Sequence, residues 1–203
     1  MSDRTPLTRS SAGDDPIALL LRWIEDGAAA GIPEPRAAAL ATVTKDGAPA
    51  ARVVLLKDVE EARMTFFTNY ESEKADDLGA DPRAALCLHW QPLRRQVRVT
   101  GAVVKVSAEE SDAYFGSRPR GSQLSTWASR QSSVVLDRGA LEQAFAEATE
   151  RFEGAAVERP ASWGGYALVP EKIEFWNHRD DRMHDRLLFT RDGDEWKVER
   201  LAP

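Results

Sequence analysis

Short segments of strand character, each bounded by turn residues, recur along most of this chain and constrain its fold more than any other feature. Apolar and β-branched residues dominate each segment, and glycine, proline or aspartate separate neighbouring segments. The predicted strands cover residues 38–44, 51–57, 64–68, 84–90, 95–106, 166–169, 172–176, 186–190 and 196–200. Many short strands with few helices between them favour an antiparallel β-barrel over a parallel α/β sheet.

Four helical segments interrupt these strands. Asp14 or Asp15 can cap the first, in which apolar residues recur at helical spacing until Gly31 and Pro33 end it. The others are predicted over residues 72–80, from Ser107 onward, and over residues 137–152. The predicted fold class is therefore mainly β with helices (α+β), an antiparallel barrel flanked by helices.

The length and composition of the chain predict a single domain. Its 203 residues, 42% of them hydrophobic, support one core, which we assign to residues 14–203, with residues 1–13 as a disordered tail. A net charge of −6 argues against nucleic-acid binding, and no apolar run reaches the roughly 18 residues of a membrane helix. Cys87 is the single cysteine, which fits a reducing compartment. We expect a cytoplasmic protein with no nucleic-acid or membrane partner.

Familiar catalytic motifs are missing from the sequence. His89, His178 and His184 are the only histidines and lack the spacing of metal ligands, so no metal site is predicted. The glycine-rich loops of dinucleotide-binding and P-loop proteins are absent, as is the nucleophile elbow of serine hydrolases. The remaining candidates are clusters of cationic side chains.

The segment Arg52-Val53-Val54-Leu55-Leu56-Lys57 is apolar but has a cation at each end. At about 3.3 Å per residue, the two charges lie roughly 16 Å apart on an extended strand. One interpretation is a buried strand that emerges into water at both ends. The other is a strand beneath a long ligand with an anion at each end, and the segment alone leaves both open.

Arg182, His184 and Arg186 alternate with other residues near the C terminus. On an extended backbone their side chains point the same way, with neighbours under about 7 Å apart. Such crowding is unfavourable unless an anion or an electron-rich ring covers it, so the pattern favours a binding site over a solvated face. Because histidine exchanges protons near neutral pH, His184 is also a candidate for proton transfer.

The segment Ser117-Arg118-Pro119-Arg120-Gly121-Ser122 places two guanidinium groups and two hydroxyls in a loop stiffened by proline and glycine. This composition suits a phosphate, although an arginine-rich surface loop is an equally simple interpretation. In the alternating strand around residues 94–98, only Gln96 is a further candidate. Trp163 and Trp176 are more typical of a core.

Taken together, these segments resemble the pyridoxamine 5′-phosphate oxidase family from about Asp14 to the C terminus. Residues 173–177 (Ile-Glu-Phe-Trp-Asn), followed after four residues by Arg182-Met183-His184-Asp185-Arg186, reproduce the family signature. The exception is Asn177, where glutamine, histidine or glycine is usual. Residues 52–57, 117–120 and 131–133 also match family motifs, in the family's order.

The resemblance implies an FMN-binding split β-barrel and a homodimer whose two active sites each draw residues from both subunits. FMN is expected along the strand of residues 52–57, in contact with Val53, Val54, Leu55 and Lys57. Arg52 and Lys74 are expected to hold its phosphate. The other expected contacts are Phe67, Thr68, Gln96, Gln131 and Ser132, with Trp176 and Arg186 from the other subunit.

The resemblance also implies an activity, the oxidation of pyridoxamine or pyridoxine 5′-phosphate to pyridoxal 5′-phosphate, with O2 as acceptor and release of H2O2. Arg182 and His184 are the expected catalytic residues and cover the pyridine ring of the substrate. The substrate phosphate is expected to contact Lys57, Tyr114, Arg118 and Ser122.

Two further positions depart from the family pattern. Glu73 stands where arginine is usual and puts a negative charge near the expected FMN phosphate. Phe67 replaces a tyrosine and removes one hydroxyl. Both departures bear on the affinity for FMN.

Three other functions remain open from the sequence. An FMN oxidase of the phenazine-biosynthesis type would share the flavin-binding residues, but Arg182 and His184 argue against it. A non-catalytic flavin-binding or storage module would have no use for Arg118 and Ser122. Nucleic-acid binding through the arginine loops is disfavoured by the acidic total charge and would show as salt-sensitive DNA binding.

Overall fold

The structure, a computed structural model, describes residues 6–60 and 63–203 and contains nine strands within them. The strands pair antiparallel in the order β2-β1-β5-β6-β7-β4-β3, with β8 beside β7 and β9 beside β8. They are β1 Ala37–Val43, β2 Pro49–Leu55, β3 Asp58–Glu60, β4 Arg63–Asn69, β5 Arg83–Trp90, β6 Arg95–Lys105, β7 Trp163–Asn177, β8 Asp185–Asp192 and β9 Glu195–Arg200. This sheet confirms the predicted mainly β, antiparallel architecture.

Helices flank the sheet. They are α1 Arg9–Ala12, α2 Pro16–Ala29, α3 Glu73–Ala80, α4 Ala108–Ser117, α5 Arg120–Ala128 and α6 Arg138–Arg151. The Asp15 carboxylate caps α2 by accepting from the amides of Ile17 and Ala18. No helix within the described ranges is long and apolar enough to cross a membrane.

Helix α5 lies where the sequence predicted a loop. Pro119 precedes it, and Ser122 lies in its first turn. Its residues include glycine and several with short hydroxyl side chains, which have low intrinsic helix preference. Burial of Leu124 in a small cluster with Phe115 and Phe152 stabilises the helix instead.

Strand β7 organises the sheet because it pairs with three neighbours. Strand β6 pairs along its whole length, while residues 163–168 pair with β4 and residues 172–177 with β8 on the other side. The sequence predicted two separate strands here, which was wrong because the interruption at Pro170 is absorbed locally. The register with β6 shifts between Thr100 and Gly101, and Gly101 pairs with Pro170.

The main core lies against one face of the sheet. Inward-facing side chains of four neighbouring strands are fully or almost fully buried: Leu86, Leu88, Val97, Val99, Ile173, Phe175, Leu187 and Phe189. Helix α2 covers them, and the Trp23 ring packs edge-to-face on Phe175 with centroids 5.1 Å apart. The opposite face of β6, β7 and β8 is left for polar side chains.

The N-terminal segment differs from its prediction as a disordered tail. Residues 1–5 lie outside the described residues, but Thr8 caps α1 and Leu7 is buried. The Leu7 amide donates to Asp185 at 3.1 Å, and Arg200 donates to the Leu7 carbonyl at 2.8 Å. One leucine and one alanine are too few to make a periodic pattern, so composition alone indicated disorder. The assignment of residues 14–203 to one domain stays a prediction.

We expect Gly101→Ala to be strongly destabilising, because a Cβ at this position would overlap the Val169 carbonyl oxygen. Backbone must move to relieve this overlap, at a loss of about 3 kcal/mol in the free energy of unfolding. Chemical denaturation measures the change. Gly79→Ala in α3 is the control, since nothing lies within 4 Å of its Cβ, and it should be neutral or stabilising. Equal stability of the two variants would contradict this account of the bulge.

Candidate functional site

A cleft of about 870 Å³ opens beside the edge strand β2. Its volume lies in the range of small-molecule sites. Its walls come from β2, β4, helices α3 to α5, the segment after α5, and the start of β7. The lining residues are Arg52, Val53, Val54, Leu55, Lys57, Phe67, Thr68, Asn69, Lys74, Tyr114, Arg118, Pro119, Ser122, Ser125, Thr126, Ser129, Gln131 and Trp163.

Arg52 and Lys74 bring two cations together in one part of this cleft. The Arg52 guanidinium donates to Thr42 Oγ1 and, at 3.1 Å, to Asp77 Oδ2. Thr42 is buried and donates to the same Asp77 oxygen at 2.6 Å. Lys74 and Asp77 are three residues apart on α3, which places both on one side of the helix. Asp77 therefore fixes Arg52 and compensates one of the two positive charges.

The Lys74 ammonium is held by neutral partners. It donates to Gln131 Oε1 at 2.8 Å and to Thr68 Oγ1 at 3.2 Å. Burial lowers the pKa of Lys74 from its usual 10.5 and the charge of Arg52 lowers it further, while Glu73 and Asp77 act in the opposite direction. Because the charged form is disfavoured by a neighbouring cation, an anion bound here would relieve the repulsion. This donor set suits a phosphate group.

A second cationic site lies beside stacked aromatic rings. The Phe67 ring stacks on Tyr114 at 4.0 Å and on Trp163 at 5.5 Å between centroids. The Arg118 guanidinium lies over Trp163 at 4.6 Å and donates to Thr126 Oγ1 at 2.8 Å. Burial lowers the pKa of Arg118. Within the described ranges no carboxylate forms a salt bridge with Arg118, so this site too can accept an anion.

A further group of predicted site residues lies on the outer face of the sheet. The register sets Gln96, Trp176 and Arg186 side by side across β6, β7 and β8. The His184 ring packs on Trp176 at 4.6 Å, and its Nδ1 accepts from the Arg179 amide at 3.2 Å. These side chains form a cluster of their own and do not line the cleft of the same chain.

The expected alternation of Arg182, His184 and Arg186 is wrong. Arg182 ends a short 3-10 helix (Asp180–Arg182) with φ at 60°, and β8 begins only at Asp185. Side chains alternate between faces only on an extended backbone. Asp180 and Asp181, which precede Arg182, favour a turn, and this signal in the sequence was overlooked when an extended backbone was assumed.

The structure therefore divides the predicted site residues into two sets. The cleft contains Arg52, Val53, Val54, Leu55, Lys57, Phe67, Thr68, Lys74, Tyr114, Arg118, Ser122 and Gln131. Ser132 lies beside it, with its Oγ accepting from the Glu73 amide at 3.3 Å. Outside the cleft are Gln96, Trp176, Arg182, His184 and Arg186.

Sequence reasoning missed several residues of the cleft. Thr42 and Asp77, which hold Arg52, carry no local motif because only folding brings them together. The lining residues Asn69, Ser125, Thr126 and Ser129 were also not predicted. Trp163 was interpreted as core and is buried, yet it also lines the cleft. Among the described residues, no group of three or more His, Cys, Asp or Glu side chains is arranged to hold a metal ion.

Two family descriptions match this chain. Residues 24–152 match pyridoxamine 5′-phosphate oxidase, and residues 163–203 match the pyridoxine 5′-phosphate oxidase C-terminal dimerisation region. A pyridoxine/pyridoxamine 5′-phosphate oxidase of Rubrobacter xylanophilus is 51% identical over 98% of this chain and 92% of its own length. One of Burkholderia lata is 50% identical over 98% of this chain and 94% of its own length.

Solved structures with the same fold include two relatives. PhzG from Burkholderia lata, in complex with tetrahydrophenazine-1-carboxylic acid, has a TM-score of 0.92 and 33% identity over 100% of both chains. A pyridoxamine 5′-phosphate oxidase-related, FMN-binding protein from Nostoc punctiforme has a TM-score of 0.70 and 22% identity, over 93% of this chain and 95% of its own. These structures confirm the expected split-barrel fold.

The two-cation site predicts that inorganic phosphate stabilises the protein through Lys74. At about ten times its Kd, a ligand that binds only the folded state raises the midpoint Tm by about 3–6 °C for a chain of this size. Thermal unfolding in phosphate, compared with sodium chloride at equal ionic strength, measures this shift. Lys74→Gln should reduce the shift to whatever the Arg118 site contributes, whereas Lys45→Gln, an exposed residue of the β1-β2 turn, should retain the full shift. An undiminished shift in Lys74→Gln would place the anion elsewhere.

Proposed function

The chain belongs to the pyridoxamine 5′-phosphate oxidase family of oxidase-type enzymes, and we propose that it oxidises pyridoxamine or pyridoxine 5′-phosphate to pyridoxal 5′-phosphate with FMN as cofactor. In this proposal O2 is the electron acceptor and H2O2 is released with either substrate. With the amine, water also hydrolyses the oxidised carbon–nitrogen bond and ammonia leaves. The observation that carries the proposal is the presence of two cationic sites in one cleft, one at Arg52 with Lys74 and one at Arg118. FMN and the substrate each bring one phosphate.

The FMN phosphate is assigned to Arg52 and Lys74. Asp77 and Thr42 hold the Arg52 guanidinium from behind, so its donors are arranged before the ligand binds. The contacts with the rest of FMN are assigned to Val53, Val54, Leu55, Lys57, Phe67, Thr68, Gln131 and Ser132. Bound FMN would supply the acceptor for a hydride from the substrate carbon that bears the amine or alcohol, with O2 as the final electron acceptor.

The substrate phosphate is assigned to Arg118, with Lys57, Tyr114 and Ser122. Arg118 is held by Thr126 and by the face of Trp163. A phosphate fixed at this position limits the motion of the substrate and keeps its reacting carbon in one orientation. The same residues exclude analogues without a phosphate, because such analogues leave the partly buried guanidinium without an anion.

The outer-face residues are assigned to the neighbouring active site of a homodimer. Gln96, Trp176 and Arg186 do not line the cleft of their own chain, and this supports their assignment to the cleft of a second copy. Residues 163–203, which carry Trp176 and Arg186, match the dimerisation region of the family. Val53 beside the cleft is 68% exposed and Val104 on the outer face 50% exposed, as expected of surfaces that a partner covers.

Arg182 and His184 are assigned to the pyridine ring of the substrate as catalytic residues. The amide of Arg179 donates to Nδ1 of His184, which places the proton of the neutral ring on Nε2. Nε2 then donates a hydrogen bond toward the substrate and fixes its ring, while Arg182 supplies positive charge. Both groups would act in the active site of the partner's cleft.

A second candidate function is the oxidation of a tetrahydrophenazine acid, because PhzG matches the whole chain at a TM-score of 0.92. Two observations favour the first function. The phosphate oxidases of Rubrobacter xylanophilus and Burkholderia lata are 51% and 50% identical to this chain, against 33% for PhzG. The ligand named for PhzG carries a carboxylate and no phosphate, whereas the cleft has a second cationic site at Arg118.

The proposed activity is tested by adding pyridoxamine or pyridoxine 5′-phosphate to the FMN-loaded protein and measuring peroxide and pyridoxal 5′-phosphate. Both products are expected in equal amounts, and unphosphorylated pyridoxine should react far more slowly. Oxidation of tetrahydrophenazine-1-carboxylic acid without oxidation of either phosphate ester would favour the second function. Failure with all three substrates would overturn the proposal.

Substitution of the pyridine-facing residues should separate catalysis from binding. Arg182→Ala and His184→Ala should each lower kcat at least about tenfold with little change in FMN content, since neither is assigned to FMN. Arg118→Ala should instead raise KM about 10- to 100-fold, the loss expected for a charge-assisted phosphate contact. Steady-state kinetics on flavin-saturated protein measures both. If kcat/KM of Arg182→Ala or His184→Ala stays within about twofold, that residue has been assigned wrongly.

Glu73 should weaken FMN binding, because its negative charge lies at the start of the helix that carries Lys74. Its side chain is exposed, so screening by water and salt keeps the effect modest. Glu73→Gln should tighten FMN about fivefold at low salt, and Glu73→Arg about 10- to 50-fold, with a smaller gain at high salt. Flavin fluorescence titration at two ionic strengths measures this. Glu147→Gln on α6 is the control, and an unchanged affinity in Glu73→Arg would mean that its side chain points away from the phosphate.

A further inference from the structure

Glu174 is a buried carboxylate between two arginines, and the proposed function gives it no role. Its oxygens lie 3.3 Å from Arg98 Nη1 and 2.8 Å from Arg186 Nε. The strand register explains both contacts. Arg98 stands directly opposite Glu174 on β6, and Arg186 is its diagonal neighbour on β8, where Leu188 stands opposite.

The end of the chain holds the same arginine from another direction. Arg186 Nη1 donates to the Ala202 carbonyl at 2.8 Å, and the Leu201 amide donates to the Arg186 carbonyl at 3.1 Å. The residues that follow β9 are therefore hydrogen-bonded to the start of β8. The Nε and Nη1 atoms of Arg186 donate hydrogen bonds in this arrangement. Within residues 6–60 and 63–203, no hydrogen bond from its Nη2 is described.

We propose that Glu174 and the Ala202 carbonyl are positioning groups that fix the Arg186 guanidinium by Nε and Nη1, so that Nη2 is directed at the flavin in the partner's cleft. The inference rests on the proposed function, which places Arg186 in the partner's active site, and on the contact with FMN that the family resemblance implies for it. An arginine side chain has many rotamers, and holding it before the ligand arrives removes the entropy loss of ordering it later. A guanidinium in a fixed orientation also stabilises negative charge on the reduced ring better than a mobile one.

A purely electrostatic role for Glu174 predicts the opposite result. Neutralising Glu174 raises the net positive charge near Arg186 by one unit. If charge alone mattered, FMN would bind more tightly and would be easier to reduce. If Glu174 orients Arg186, the same change releases the guanidinium, and flavin reduction becomes slower and less favourable. The sign of the effect therefore separates the two roles.

The test compares Glu174→Gln with Glu199→Gln on full-length, FMN-loaded protein. Leu188 stands opposite Glu174 on one side and Glu199 on the other, but Glu199 is exposed and pairs with Lys197. In Glu174→Gln we expect flavin reduction by saturating substrate to slow about tenfold, with KM within about twofold of wild type. The midpoint potential of bound FMN, measured by dithionite titration without substrate, should become more negative. Glu199→Gln should match wild type in all three measurements.

A second variant keeps the test decisive if Glu174→Gln does not fold. A chain that ends at Leu201 lacks the Ala202 carbonyl but leaves the buried ion pairs intact, and it should shift rate and potential in the same direction. In an Arg186→Lys background neither change should have a further effect, because both act through the guanidinium.

Three results would overturn the inference. They are a faster reduction or a more positive potential in Glu174→Gln, an equal effect in the Arg186→Lys background, and a wild-type protein that takes up no FMN. The last would also overturn the proposed function. If the protein binds FMN and the variants shift its midpoint potential as expected, but neither phosphate ester is oxidised, the positioning role is supported and the proposed substrate is wrong.

Discussion

The alternation of side chains along β7 places core residues on one face of the sheet and the proposed site residues on the other. Ile173 and Phe175 point inward and are completely buried, whereas Glu174 and Trp176 point to the outer face. A slip of one residue in the pairing with β6 would exchange the two faces. The register shift opposite Pro170 is therefore part of what places the outer-face cluster. In the proposed dimer, β7 contributes Trp163 to the cleft of its own chain and Trp176 to that of its partner.

The positive charges in the cleft lower the stability of the protein when no ligand is bound. Burial and Arg52 both disfavour the charged form of Lys74, and Asp77 offsets only part of this. Hydrogen bonds from Lys74 to Gln131 and Thr68 satisfy its donors without neutralising it. An anion bound at this point adds the missing negative charge, so ligand binding and folding stability are coupled. Glu73, which departs from the family pattern, also offsets part of the positive charge at Lys74, because its carboxylate supplies negative charge from the protein itself.

Periodicity predicted the strands and helices that depend on local sequence, and tertiary contacts decided the rest. The segments around residues 38–44, 84–90 and 95–106 were correct because alternation reports a half-buried strand directly. Pro170 suggested two strands because Gly101, which accommodates the proline, lies on the neighbouring strand. Helix α5 was not predicted because its stability comes from the burial of Leu124. The family resemblance predicted that Arg52, Lys74 and Arg118 share one site, and the structure places all three in one cleft. No local rule pointed to Thr42 or Asp77, since a residue that holds a ligand-binding side chain from behind leaves no pattern of its own.

Leu7 and residues 200–202 contact the residues that begin β8, so both of these segments help to position the outer-face cluster. Asp185 accepts from the Leu7 amide at 3.1 Å and from Arg200 at 2.9 Å, while Arg186 donates to Ala202. Asp185 and Arg186 directly follow His184, whose backbone leaves a turn just before the strand. Arg179 at the start of this turn pairs with Asp185 at 3.7 Å, so the orientation of the turn depends on the residues that begin β8. Leu7, which composition placed in a disordered tail, and the residues after β9 are, in this fold, supports of the outer-face cluster. Since that cluster is assigned to the partner's cleft, we expect a change at Leu7 or Ala202 to act on the active site of the other subunit.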